Sequence, residues 1–165
     1  MTTGYISIGS NIDKDKHIPS SIRVLQDAFG VLDLSSIYQT AAMGFEGDDF
    51  YNLIVRFNTD LEAKQVGKIL RQIELDHGRS RNSQKFSSRT LDLDLILFGD
   101  QIIHDGRLQI PRDEIEKYAF VLEPLAEIAG DEKHPVSGKS YRQLWDEFDK
   151  TAVWQRKIEP PWENE

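Results

Sequence analysis

Asp92 and Asp94 stand two residues apart in the run Arg89-Thr90-Leu91-Asp92-Leu93-Asp94-Leu95-Ile96-Leu97-Phe98-Gly99. The leucines that alternate with them read as a strand, and residues two apart on a strand point to one face. Two like charges held so close repel each other, and burying them without a cation is costly. A carboxylate pair at the start of an apolar strand therefore points to a divalent cation. Taken alone, Asp-x-Asp also fits two solvated aspartates on an exposed strand face, so the neighbouring residues decide. Between Arg71 and Thr90 the chain carries five basic residues, Arg71, Arg79, Arg81, Lys85 and Arg89, against the two acids Glu74 and Asp76. The formal net charge of the whole chain is −8, so this stretch reverses the local sign. Arginine presents a planar fork of donors that matches phosphate oxygens. The loop Gly78 to Ser88 is polar apart from Phe86, so it can close over a polyanionic ligand; a solvated basic loop is the bland alternative. Placed directly before the aspartates, the arginines complement them. Magnesium prefers a few carboxylates together with substrate phosphates and water, and the arginines neutralise what phosphate charge is left. Phosphoryl-type transfer needs that combination, because its catalysis is mostly positioning and electrostatics. No Gly-rich loop ending in Gly-Lys-Ser/Thr is present, so side chains must hold the nucleotide.

The elements that must position these groups follow in order. Tyr5 to Ile8 alternates as a first strand that stops at the turn signal Gly9-Ser10-Asn11. Ile18, Ile22, Leu25 and Phe29 recur at helical spacing, with Pro19 suited to a first turn and Gly30 to a C-cap. Val31 to Tyr38 reads as a second strand, and a long loop from Thr40 to Asp49 leads to a third, Tyr51 to Asn58. Val66, Ile69, Leu70 and Ile73 predict a helix ending near Gly78, and the aspartate strand follows. The order β-α-β-β-α-β predicts a ferredoxin-like α+β sandwich with a mainly antiparallel sheet. Beyond it, Ile102-Ile103 and Leu108 to Ile110 predict paired short strands around His104-Asp105-Gly106. Helical stretches follow at Tyr118 to Ala129, containing Pro124, and at Ser140 to Phe148.

Composition narrows the classes further. A 165-residue chain with 39% hydrophobic residues fits one compact domain. The expected division is a single catalytic domain over 1–158 and a loosely ordered tail over 159–165. The acidic balance argues against nucleic-acid binding. Without cysteine, disulfides and thiolate metal sites are excluded. No apolar run is long enough to span a membrane and no leader pattern is present, so a cytoplasmic monomer is the expectation. His17, His77, His104 and His134 show no metal-ligand spacing.

The segments Ile6-Ser7-Ile8-Gly9-Ser10-Asn11, Tyr51-Asn52, Ile73-Glu74, Gly78-Arg79-Ser80-Arg81, Arg89 to Gly99 and Pro111 to Leu125 resemble those of the 6-hydroxymethyl-7,8-dihydropterin pyrophosphokinase family. The resemblance runs in order from the first strand to about residue 130. It implies the same sandwich fold and transfer of the pyrophosphoryl group of ATP to a reduced pterin in folate synthesis. It also implies that Asp92 and Asp94 hold two magnesium ions. By the same resemblance Arg79 and Arg89 act with the aspartates in catalysis, and Glu74, Arg81, Lys85 and Arg107 contact ATP or line its site. Leu95 is implied near the adenine. Thr40, Ala41, Met43, Asn52 and Phe120 fall at the pterin positions, where Asn52 can donate and accept and Phe120 can stack. Read alone, Phe120 would be a core aromatic.

Four departures mark this chain. Phe86-Ser87-Ser88 stands where the family has tryptophan, glycine and proline, and Ala41-Ala42 where it has two prolines. Arg112 replaces a histidine, and Tyr118 replaces an ATP-contacting arginine whose charge Arg112 is placed to supply. These substitutions keep a second reading open, a paralogue with weak or no catalysis that binds a pterin or nucleotide or acts on a related pterin. A third, an RNA-binding ferredoxin-like domain, would need a basic chain with aromatics where Asp92 and Asp94 stand.

Overall fold

The computed structural model describes residues 1–41, 48–78 and 90–164. Its first strand, Thr2–Ser10 (β1), is buried along most of its length because it is central and covered on both faces. Helix Lys14–Phe29 (α1) follows, then the short strands Asp33–Leu34 (β2) and Ile37–Thr40 (β3), and the long strand Phe50–Thr59 (β4). Helix Ala63–Asp76 (α2) leads towards Asp92–Phe98 (β5). A separate hairpin, Ile103–Asp105 (β6) and Leu108–Ile110 (β7), is followed by helices Glu114–Lys117 (α3), Ala119–Ala129 (α4) and Tyr141–Glu147 (α5). The chain returns to the main sheet as Gln155–Ile158 (β8) and ends in a 3-10 turn, Pro161–Asn164.

The sheet runs β5-β1-β4-β3-β8, with β2 also beside β4, and its pairs are antiparallel. On one face α1 and α2 bury Ile18, Leu25, Val66, Leu70 and Ile73 against Ile6, Ile8, Leu53, Val55 and Leu93. On the other face α4 and α5 bury Val121, Leu122, Leu125 and Tyr141 against Tyr5, Ile54 and Ile96. The protein is therefore a mixed α and antiparallel-β sandwich with helices on both faces.

Four local features differ from the sequence reading, each for a physical reason. Gly9 and Ser10 do not turn; they extend β1, because both find ladder partners in Asn52 and Tyr51. Helix α1 begins earlier, after Asp13 in the left-handed region (φ 49°), so Pro19 lies inside the helix rather than in its first turn. The second strand breaks into β2 and β3 at Ser35-Ser36, where the Ser35 hydroxyl accepts from Ile54 N at 2.9 Å in place of a backbone carbonyl. In β5 the register against β1 shifts so that Ile6 faces Leu95 and Tyr5 faces Leu97. That bulge puts both Ile96 and Leu97 on the α4 face and returns Phe98 to the α1–α2 side. At the end of the chain, Lys157 and Ile158 lie in β8, and the Trp162 ring packs against Tyr51 with centroids 6.3 Å apart.

Candidate active site

The bulge leaves the alternation of β5 intact where it matters. Leu91, Leu93 and Leu95 face α1 and α2, so Asp92 and Asp94 face the α3–α4 layer together with Ile96. Both aspartates keep partial exposure. The ladder then sets a row across the sheet on this face: Asp92 of β5 lies opposite Gly9 of β1, Gly9 opposite Asn52 of β4, and Asn52 opposite Tyr38 of β3. Gly9 has no side chain, so the Asn52 amide oxygen can lie over it, 2.8 Å from where a Cβ would stand. Asn52 is 5% exposed, and its Nδ2 donates to Thr40 Oγ1 at 2.8 Å. Asp92 thus shares one patch of sheet with Asn52 and Thr40, two of the expected pterin residues.

The electrostatics of the pair are those that a bound cation would relieve. Burial, with the neighbouring Asp92 charge next and Glu74 and Glu114 adding to it, pushes the Asp94 carboxyl up to about 8; the Arg112 guanidinium opposes the shift. A carboxylate so disfavoured in its charged form fits a place that a divalent cation completes. Among the described residues no group of three or more His, Cys, Asp or Glu is arranged around one point. Two carboxylates with the remaining positions left to phosphate and water suit magnesium.

Glu74 plays a part that its position in the motif does not reveal. It is 8% exposed in the last turns of α2, and its Oε2 accepts from Leu93 N at 2.8 Å. That N–H lies between the two aspartates on β5, the last strand of its side of the sheet. The carboxylate holds the strand segment that carries the pair. Glu74→Gln keeps an acceptor for Leu93, whereas Glu74→Ala leaves a buried N–H unsatisfied. Thermal unfolding of the two variants should separate them by about 2 kcal/mol, roughly 4–8 °C in Tm. Equal melting temperatures would remove this role.

The remaining candidates fall into three groups. Arg112 is brought to the carboxylates: its charge acts on Asp94, and its backbone N–H donates to Ile96 O at 3.0 Å. Its side chain is not simply aimed at the site, because Nε and Nη2 grip Glu114 at 3.0 and 2.9 Å. Tyr118 and Phe120 stack on each other, with centroids 5.1 Å apart and planes 17° apart, where α3 passes into α4. Ala41 is exposed beside Thr40. A second group stands apart. Leu95 is 6% exposed in the core under α1 and α2, on the opposite face from Asp94. Arg107 sits on the exposed turn between β6 and β7 and makes no ion pair among the described residues. Met43, Arg79, Arg81, Lys85 and Arg89 lie outside the described residues.

Several residues of the site escape a motif-based reading. Gly9 is one, since its spacing role appears only when the ladder places it between Asp92 and Asn52. Ser10 Oγ donates to Thr90 O at 2.5 Å, and Asn11 Nδ2 donates to Asp48 O at 3.0 Å, so the end of β1 buttresses the approaches to β5 and β4. The signal for these was the run Gly9-Ser10-Asn11, read as a turn and as part of a segment resembling the family, with no role given to its individual residues. Glu114, which governs the direction of Arg112, carried no signal beyond its sign.

Fold and site together define a class: a mixed α and antiparallel-β sandwich with two carboxylates on one strand face, in a row with a buried amide. A family model described as 7,8-dihydro-6-hydroxymethylpterin-pyrophosphokinase (HPPK) matches residues 5–130, and the chain belongs to that family. It is 42% identical over 120 residues to the 2-amino-4-hydroxy-6-hydroxymethyldihydropteridine pyrophosphokinase of Synechocystis sp., covering 73% of this chain and 61% of that protein. The protein of the same name from Bacillus subtilis is 33% identical over 158 residues, covering 93% of this chain and 90% of the relative. In structure the chain resembles the Plasmodium falciparum HPPK-DHPS chain, with a TM-score of 0.70 at 13% identity, over 88% of this chain and 44% of that one. That likeness concerns the fold. The chain thus spans less than two thirds of the Synechocystis relative and less than half of the solved chain, but nearly all of the Bacillus protein.

Proposed function

We propose that this chain transfers the pyrophosphoryl group of ATP to 6-hydroxymethyl-7,8-dihydropterin, releasing AMP, as a step of folate biosynthesis. The observation that carries the reading is the row Asp92–Gly9–Asn52, which sets a cation-demanding carboxylate pair beside an ordered amide within a chain of this family. The hydroxymethyl oxygen bonds to the β-phosphorus, the bond from that phosphorus to the α-phosphate oxygen breaks, and the hydroxyl proton is released. Asp92 and Asp94 hold magnesium, two ions by resemblance to the family. When bound, the metal supplies positive charge to the phosphate oxygens. Arg79, Arg81, Lys85 and Arg89 neutralise the triphosphate, and Arg112 adds charge from the α3 side. Asn52, held by Thr40, reads the edge of the pterin, and Phe120 offers it a ring face. Residues 1–158 act as one catalytic domain. The strand order, with β5 and β4 flanking β1 and β3 outside β4, supports a ferredoxin-like core extended by β6–β8 and α3–α5.

Incubation with ATP, magnesium and the hydroxymethyl pterin should yield AMP and the pterin diphosphate in equal amounts, resolved by chromatography. ADP as the nucleotide product, or no turnover, rules the reaction out.

A second reading has one observation in its favour. Glu114 engages the Arg112 fork, and the residue at the arginine position of the family is Tyr118, stacked on Phe120. A binding protein of weak catalysis would show tight pterin or nucleotide binding by calorimetry with no AMP formed.

A further inference from the structure

We infer that Gln155, on the C-terminal strand, is a positioning residue for the pterin side of the site, fixing where the Tyr118–Phe120 stack stands relative to Asn52 and Thr40. The inference rests on the pyrophosphokinase reading and deepens it. Residue 155 lies beyond the stretch that matches the family, which ends at residue 130.

The ladder pairs Gln155 directly with Thr40, so both side chains share the sheet face that carries Asn52. From there the Gln155 amide reaches across to α4: Nε2 donates to Ala119 O at 3.1 Å and to Glu123 Oε1 at 2.6 Å. Ala119 is the first residue of α4, between Tyr118 and Phe120, and Glu123 lies one turn on. A single amide therefore joins the floor of the site to the first turn of the helix that carries its aromatic wall. Asn52 is held in turn by Thr40 at 2.8 Å, and Thr40 is the ladder partner of Gln155, so side-chain bonds and strand pairing link the Asn52 amide to the residue that precedes Phe120.

A second tie explains why this one can act on binding without deciding the fold. Further along α4, Glu127 accepts from Ser36 N at 3.0 Å, from Ser36 Oγ at 2.7 Å and from Tyr38 Oη at 2.8 Å. Val121, Leu122 and Leu125 are buried against Tyr5, Ile54 and Ile96. The body of α4 is thus fixed to the sheet by a carboxylate clamp and by apolar burial. Its first turn takes its polar tie from β8. Losing that tie removes the polar hold on Ala119 and Glu123 and lets the Tyr118–Phe120 stack shift, while apolar burial and Glu127 keep the helix docked.

The test is steady-state kinetics of AMP formation with ATP and the pterin varied separately, alongside thermal melting. Gln155→Ala should raise the KM for the pterin about five- to tenfold, the scale of one or two lost hydrogen bonds. The KM for ATP and the Tm should stay close to wild type. Gln155→Glu should be worse than Gln155→Ala, because a carboxylate cannot donate to Ala119 O and sits against Glu123. Arg156→Ala, an exposed residue of the same strand that reaches Gln39 on the other side, should leave both KM values unchanged. Calorimetric pterin affinity of the same variants, each checked for an intact melting transition, should follow the KM values. Equal rises in both KM values, or a lowered Tm with unchanged pterin KM, overturn the inference while leaving the reaction standing. Failure of the wild type to form AMP overturns the reaction and this inference together.

Discussion

Asp94→Asn should abolish AMP formation and, in the metal-free protein at pH 8, raise the melting temperature by a few degrees. The two effects come from one property of the site. Asp94 is held largely by burial, and then by the adjacent Asp92 charge, in a place where its ionised form is disfavoured until a cation arrives. The amide keeps the shape and removes the charge. The carboxylate proposed to hold the metal is lost, and several kcal/mol of transition-state charge stabilisation should go with it, on the order of a thousandfold in turnover. The same substitution relieves repulsion from Asp92, Glu74 and Glu114, which the Arg112 guanidinium offsets only in part.

The pH dependence separates these contributions. A carboxyl raised to about 8 in the folded protein binds a proton that the unfolded chain releases near pH 4. Between those limits the folded state holds more protons, so this group makes the metal-free protein less stable as pH rises from 4 through 8. The advantage of Asp94→Asn should accordingly vanish at about pH 3, below the unfolded value, and grow from about pH 4 towards pH 8. Magnesium with a non-hydrolysable ATP analogue should stabilise the wild type most at the alkaline end and stabilise the variant little. A variant that melts below wild type at pH 8 without metal would remove the electrostatic account, and one that turns over normally would remove the metal assignment.

What made the carboxylate pair legible in the sequence was period two: Leu91, Leu93 and Leu95 inside, Asp92 and Asp94 outside. The same pattern was blind past Leu95, because Ile96, Leu97 and Phe98 are all apolar, and a bulge among them changes no letter-level alternation. The break at Ser35-Ser36 escaped for a related reason, since a serine hydroxyl substituting for a backbone group leaves the flanking apolar residues in place. Helices α2, α4 and α5 were legible from their apolar residues, although the cap of α5, where Ser140 Oγ accepts from Gln143 N, was not read. Strand β8 did not, for Arg156 and Lys157 are exposed in a four-residue strand at the sheet edge, where nothing forces an apolar alternation. Glu74 and Gln155 show the limit most clearly. Each acts through one contact to a distant segment, Glu74 to Leu93 and Gln155 to Ala119, and no local pattern encodes a partner that far away.

Gly9→Ala should cut pterin affinity about ten- to a hundredfold while leaving ATP binding and the fold nearly untouched. A Cβ at Gly9 would stand 2.8 Å from Asn52 Oδ1, inside any real contact, with the next atoms, Asn52 Cγ and Phe50 Cδ1, at an ordinary 3.9 Å. The clash falls on the end of one side chain, so the strand can keep its place and the amide yields instead. Moving the amide breaks its 2.8 Å bond to Thr40 and misplaces the group proposed to donate to and accept from the pterin edge. Losing two such bonds accounts for the expected factor. On its other side Gly9 faces Asp92, which the new methyl approaches no closer than 3.9 Å, an ordinary contact. The carboxylate pair should therefore bind the magnesium–nucleotide complex as before. Separate calorimetric titrations with the ATP analogue and with the pterin distinguish this from general damage. Equal losses for both ligands would mean that the glycine serves the strand, whereas a loss confined to the pterin means that the empty space above Gly9 is what seats Asn52.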